Sequence, residues 1–119
     1  MQRLKQRADF LAAVAGTKAP ASGFVLQAVK RGDGGPARVG FTVSRKVGKA
    51  VERNRVRRRL REMVRLNGTA WMRPGHDYVL VGRRAALQLP FGQMKQDFQG
   101  ALRRVHERGA TAKRVRDGQ

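Results

Sequence analysis

Ten of the chain's 27 Lys and Arg residues fall between Arg45 and Arg65, in the stretch from Ser44 that reads SRKVGKAVERNRVRRRLREMVR, opposed there by Glu52 and Glu62 alone. Guanidinium groups at this density do one kind of chemistry well. Their planar forks donate paired hydrogen bonds to phosphate oxygens and stack on flat rings. Arg57, Arg61 and Arg65 recur every four residues, a spacing at which like charges on a helix repel. A face kept merely soluble mixes its signs, so this one is expected to meet a polyanion.

The rest of the chain agrees. A formal charge of +19 on 119 residues costs self-repulsion that a negative partner relieves. Nucleic acid is the first candidate, because each neutralised phosphate releases counterions and adds roughly 0.7–0.9 to the log–log salt slope. An anionic membrane would need a contiguous apolar face, and the apolar runs here are only a few residues long, so no membrane partner or span is expected. Cysteine is absent, which excludes disulfides and thiolate metal sites and suits a reducing cytoplasm. The start, MQRLKQRADF, has no apolar core of a secretory signal.

Hydrolytic chemistry by the polypeptide is poorly supported. The carboxylates Asp9, Asp33, Glu52, Glu62, Asp77, Asp97, Glu107 and Asp117 are not spaced to converge locally as a two-metal site requires. Neither His76 nor His106 stands near a serine or cysteine nucleophile in sequence.

The elements that must position the arginines can be read from periodicity. Leu4, Ala8, Leu11 and Ala15 predict a first helix ending at Gly16 as C-cap, with Phe10 offset about 120° from that stripe and so a candidate exposed aromatic. Phe10 and Phe24 can each serve as core or as a stacking platform. FVLQAV after Gly23 predicts a strand, RGDGGPA at 31–37 a turn, and RVGFTVS at 38–44 a second strand paired as a hairpin, greasy on its Val39, Phe41 and Val43 face. The basic helix begins between Lys49 and Arg55 and stops at Asn67-Gly68. It packs through Val56, Leu60, Met63 and Val64 and turns Asn54, Arg57, Arg58, Arg61 and Arg65 the opposite way. Asn54 suits an N-cap as well as a contact residue. DYVLVGR at 77–83 predicts a buried strand, and Phe91, Met94, Phe98, Leu102 and Val105 an amphipathic last helix behind Pro90. Residues 1–107 are expected to form a single RNA-binding domain, and 108–119 a basic flexible tail. The class is α+β: a small sandwich of helices on a mostly antiparallel sheet, with a right-handed crossover through the basic helix if its flanking strands are parallel neighbours.

RVGFTVSRKVGKAVERNRVRRRLR at Arg38–Arg61 resembles the protein component of bacterial ribonuclease P, whose pattern is a strand of RVGxxVSxKVG type followed by AVxRNRxKRxxRE. The match runs through Glu62, with Arg57 at the usual lysine position, and LKQRADF, FVL at 24–26, PGHDYVLVGR at 74–83 and the last helix extend it over most of the chain. The resemblance implies the fold of the second domain of ribosomal protein S5, with a left-handed βαβ crossover through the basic helix, against the general rule. It implies a protein subunit that assists a catalytic RNA in Mg²⁺-dependent removal of 5′ leaders from precursor tRNA, the ions held mainly by the RNA, with no obligate protein partner. Arg53, Asn54, Arg55, Arg57, Arg58 and Arg61 would contact that RNA, flanked by Arg45, Lys46, Lys49 and Arg65. Phe10, Val14, Gln27 and Thr42 would line the cleft for the single-stranded leader; Val14 and Gln27 stand where some relatives carry aromatics.

Overall fold

The computed structural model describes residues 2–117, the side chains of residues 69, 70 and 108–117 lying outside that description. The chain runs β1 (Gln2–Arg3), α1 (Arg7–Val14), β2 (Thr17–Pro20), β3 (Phe24–Lys30), β4 (Arg38–Thr42), a 3-10 turn (Arg45–Val47), α2 (Ala50–Trp71), β5 (His76–Gly82), a second 3-10 turn (Arg84–Leu87) and α3 (Phe91–Asp117). α3 thus continues past residue 107, where the tail was expected to begin.

The five strands form one sheet in the order β1-β4-β5-β3-β2. β2–β3 and β3–β5 are antiparallel and carry most of the registered pairs, while β1–β4 and β4–β5 are parallel. The expected hairpin between β3 and β4 does not form. Seven β3 residues pair instead with β5, which lies between them. The central position of β5 lets it bury both faces: Tyr78, Val79 and Leu80 are each 2 % exposed or less.

The handedness of the β4–α2–β5 crossover follows from one hydrogen bond. Leu4 N–H donates to the Val39 carbonyl at 2.8 Å, so that carbonyl points to β1, while the Val39 side chain points into the core beneath α2. For an L-residue in an ascending strand, seen from its side-chain face, the carbonyl points right. β1 therefore lies to the right of β4 and β5 to its left. A chain that rises in β4, descends through α2 and rises again on the left is left-handed, contrary to the general preference.

The main core fills the side of the sheet under α2 and α3. Phe24, Leu26, Tyr78 and Leu80 from the strands meet Val56, Leu60 and Met63 of α2 and Met94, Phe98 and Leu102 of α3. Phe98 meets Phe24 edge-on at 6.3 Å and tilts on Trp71 at 6.0 Å. That contact accounts for the passage of α2 through Asn67-Gly68, where a stop was expected. A helical Gly costs only about 1 kcal/mol, less than seating Trp71 returns, and Asn67 Nδ2 is absorbed by the Met63 carbonyl at 2.9 Å.

α1 covers part of the opposite side. The expected stripe is not the packed one: Leu11 is 57 % exposed, and Ala13 and half-buried Phe10 face the sheet with Leu4 and Val79. Leu4 itself precedes the helix. Gly16 does not adopt the left-handed backbone of a glycine cap. Its small size is needed because a Cβ there would lie 2.2 Å from the Ala28 carbonyl oxygen.

Candidate nucleic-acid interface

α2 positions the arginines by committing its other face. Val56, Leu60, Met63 and Val64 are 2 % exposed or less and press on the sheet so closely that a Cβ on Gly82 would stand 2.7 Å from Val56. The row opposite is thereby fixed in solvent. Asn54, Arg55, Arg58, Arg61 and Arg65 are exposed and Arg57 half-exposed, a cationic edge about 18 Å long from residue 53 to 65 at 1.5 Å per residue. Arg45 and Lys46 on the first 3-10 turn and Lys49 at the helix start extend it and are exposed.

Counter-charge is sparse on this face. Among the described residues Arg57, Arg58 and Arg61 have no carboxylate within salt-bridge reach; Arg65 pairs with Glu62. That exposed pair holds the Glu62 carboxyl below its ordinary range through the Arg65 hydrogen bond and adds little stability. Arg53 is half-buried, and its Nε–H has no acceptor among the described residues. A buried donor left unpaired costs about 1–3 kcal/mol.

Asn54 is not the N-cap. α2 begins at Ala50 with Lys49 preceding it, and Glu52 Oε1 accepts from the Lys49 backbone N–H at 3.1 Å. Asn54 sits in the second turn, where its Oδ1 accepts from Arg57 Nη1 at 3.2 Å. Arg59 is structural: its guanidinium donates to the carbonyls of Ala86 (2.7 Å) and Leu89, tying the second 3-10 turn to α2. Its place in a run of three arginines concealed that inward direction.

The sheet's other face gathers the cleft residues. Strand register sets Gly40, Val79, Gln27 and Lys18 in one row across it, and Thr42, Val81, Val25 and Pro20 in the next. The Phe10 ring lies over Gly40, where a Cβ would come within 2.5 Å of it. Phe10 is therefore half-buried rather than free in solvent. Val14, one turn on, is 49 % exposed and Thr42 half-exposed. Gln27 is 7 % exposed, and its Oε1 has no hydrogen-bond partner among the described residues. Phe24 lies on the opposite side, fully buried, as a core residue.

An ion network holds α1 at the end of this face. Asp77, 2 % exposed, accepts from Arg38 Nε and Nη2 at 2.7 and 2.6 Å and from Arg31 Nη1 at 2.6 Å, and Arg38 reaches Asp9 of α1 at 3.4 Å. Burial alone would push the Asp77 carboxyl up, but the two guanidinium groups outweigh it and hold it below the ordinary carboxylate range. Among the described residues there is no group of three or more His, Cys, Asp or Glu that could hold a metal ion, and no helix long and apolar enough to cross a membrane.

The molecule is a small basic α/β sandwich with a left-handed crossover helix, arginine-edged on one side and with Phe10 of α1 lying over the other side of the sheet. The sequence model of the family described as Ribonuclease P matches residues 1–106, and the chain belongs to that family. It is 50% identical over 109 residues, 91% of this chain and 94% of the relative, to the ribonuclease P protein component of Gluconacetobacter diazotrophicus. To that of Ruegeria pomeroyi it is 48% identical, over 87% of this chain and 85% of the relative. Its fold is similar to the solved ribonuclease P protein of Thermotoga maritima, with a TM-score of 0.73 at 30% identity over 88% of this chain and 98% of that one. The Staphylococcus aureus protein gives 0.71 at 25% identity over 87% and 94%.

Proposed function

We propose that this chain is the protein subunit of a cytoplasmic ribonuclease P, which grips the catalytic RNA through the outer face of α2 and holds the single-stranded 5′ leader of precursor tRNA against the α1 side of the sheet. The observation that carries the reading is the row of guanidinium groups, Arg57, Arg58 and Arg61 among them without a carboxylate partner among the described residues, on a helix whose opposite face is locked into the core. The helix that carries these arginines is already ordered, so each phosphate contact costs side-chain freedom but not the folding of the backbone.

Phe10 offers a ring edge and part of a face to an unpaired base, a contact of about 1–3 kcal/mol. Gln27 carries an amide with an unsatisfied oxygen at the floor of the same face, and Thr42 a hydroxyl.

The carboxylates support a division of labour in which the RNA carries the chemistry. Asp9, Asp33, Asp77, Glu52 and Glu62 are each paired to arginine, so the described residues do not fit a Mg²⁺ cage, whereas RNA phosphates supply hard oxygen ligands. The polypeptide lowers RNA–RNA repulsion and positions the substrate.

The test is reconstitution. The isolated protein is expected to leave precursor tRNA uncut, and its addition to ribonuclease P RNA to restore 5′ processing at Mg²⁺ concentrations where the RNA alone is slow. Cleavage by RNA-free protein, lost on a carboxylate substitution, overturns the reading. Equal competition by unrelated structured RNAs at about 150 mM salt, where nonspecific phosphate contacts weaken, would instead make it a general RNA binder.

A further inference from the structure

The second 3-10 turn faces the N-terminal half of α2 across an open groove of about 420 Å³, within the roughly 300–1,000 Å³ that holds groups of small-molecule size. α2 contributes Val51, Glu52, Arg55 and Arg58, and the turn and its exit contribute Arg84, Leu87 and Gln88. Both walls are fixed. Arg59 clamps the turn to α2 through the Ala86 and Leu89 carbonyls. Arg84 Nη1 donates to the Val47 carbonyl at 2.7 Å, and its Nη2 meets Glu52 at 3.0 Å. The Arg84 side chain is nevertheless 61 % exposed.

Three guanidinium groups thus line the groove against one carboxylate, and Glu52 is already engaged by Arg84. Val51, at the lip, is 76 % exposed, and Leu87 is half-buried on the opposite wall. Cations at the sides with apolar carbon between them match a nucleotide, whose phosphate seeks donors while its ribose and base offer a less polar body. An acidic peptide would satisfy the charge alone, and the groove is continuous with the arginine edge already described.

We infer that this groove seats a strand of the catalytic RNA, one phosphate lying between Arg55, Arg58 and Arg84, its sugar or base against Val51 and Leu87, and the Gln88 amide beside it. The catalytic RNA would then be held by two elements at once, α2 and the turn after β5. The inference rests on the proposed function, since it takes the RNA subunit as occupant.

The absence of cysteine from the chain makes the test clean. Gln88→Cys, Arg61→Cys and Gln96→Cys, the last on the exposed side of α3, are each labelled with a photoactivated aryl azide and bound to ribonuclease P RNA without precursor tRNA. Crosslinks to the RNA from Gln88→Cys and Arg61→Cys, and none from Gln96→Cys, are expected. In parallel, Gln88→Glu should weaken RNA binding roughly 3- to 5-fold at 150 mM salt, about the loss of one phosphate contact, whereas Gln96→Glu, the same charge change elsewhere, leaves it nearly unaltered. A crosslink from Arg61→Cys with silence from Gln88→Cys refutes the groove while sparing the arginine edge. Silence from both refutes the edge, and the groove with it. Equal weakening by the two Gln→Glu changes, or a Gln88→Cys crosslink that forms only with precursor tRNA, also overturns the assignment.

Discussion

Replacing Arg57 and Arg61 together by alanine isolates the arginine edge from the fold. Both point away from the core, neither has a carboxylate partner among the described residues, and Arg57 Nη1 donates to Asn54 Oδ1 on the same helix. Alanine is the best helix former, and removing like charges spaced four apart relieves repulsion. The double variant should therefore be at least as stable as the parent, and its urea midpoint checks that first. If each arginine neutralises one phosphate, the log–log salt slope of binding to ribonuclease P RNA falls by about 1.4–1.8.

The loss in affinity then depends on salt in a calculable way. At a slope near 0.8 per contact, two lost contacts weaken binding about 20-fold at 150 mM and about 100-fold at 50 mM. Fluorescence titration across that range, with Lys95→Ala plus Arg103→Ala on the exposed side of α3 as a pair of equal charge, separates contact from net charge. A folded double variant whose slope matches that of the α3 pair would refute the placement of the RNA on α2.

Three further outcomes follow from the geometry. Phe10→Ala should cost about 1–2 kcal/mol of stability, less than a fully buried Phe→Ala because the ring is half-exposed, and weaken binding of leader-bearing precursor while mature tRNA binds as before. Gly40→Ala, whose Cβ would displace that ring, should reproduce the binding defect. Asp77→Ala should lower unfolding free energy by about 3 kcal/mol, toward the lower end for stripping a buried pair because Arg38 keeps some access to water; denaturant melts at pH 7 check it. Tyr78 OH accepts the Arg73 N–H at 2.9 Å and lies 3.0 Å from His106 Nε2, an arrangement that suits a neutral imidazole. Burial, then the charges of Arg73 and His76, lower the His106 pKa to about 4. Because the folded value lies below the unfolded one, its stabilisation is full above about pH 6.5 and is lost as pH falls towards 4. Stability should decline by about 1–2 kcal/mol across that window, discounted for partial exposure, and His106→Asn should flatten the decline.

Local periodicity made the arginine edge legible because most of that edge lies along one helix. The stripe Val56, Leu60, Met63, Val64 and the row behind it are consequences of 3.6 residues per turn; the last helix was readable for the same reason, and β5 from its Val-rich apolar run. Pairing between strands was not. β3 meets β5 across some fifty residues of sequence, so the hairpin expected from nearness alone failed, and β1 and β2, of two and four residues, are too short for an alternation to show. α1 misled because its packed side is chosen by a notch in the sheet at Gly40 that accepts Phe10, leaving Leu11 outside. The crossover's hand came from the family resemblance and not from any rule of chain geometry.

The acidic residues explain how so basic a chain keeps its arginines apart in function. Asp77 and Asp9 draw Arg38, and Asp77 and Asp33 draw Arg31, to the end of the α1 face; Glu52 draws Arg84 to the start of α2. Carboxylates in these places do not neutralise the molecule. They hold chosen guanidinium groups against the fold, and by their scarcity along the outer side of α2 they leave the field there uncancelled. Moving one carboxylate onto that side, as in Arg58→Glu, would therefore do more than subtract a contact: it would give Arg55 and Arg61, three residues away on either side, an internal partner at helical spacing. Its binding loss should exceed that of Arg58→Ala at the same salt, and equal losses from the two would show that the edge acts as separate point contacts.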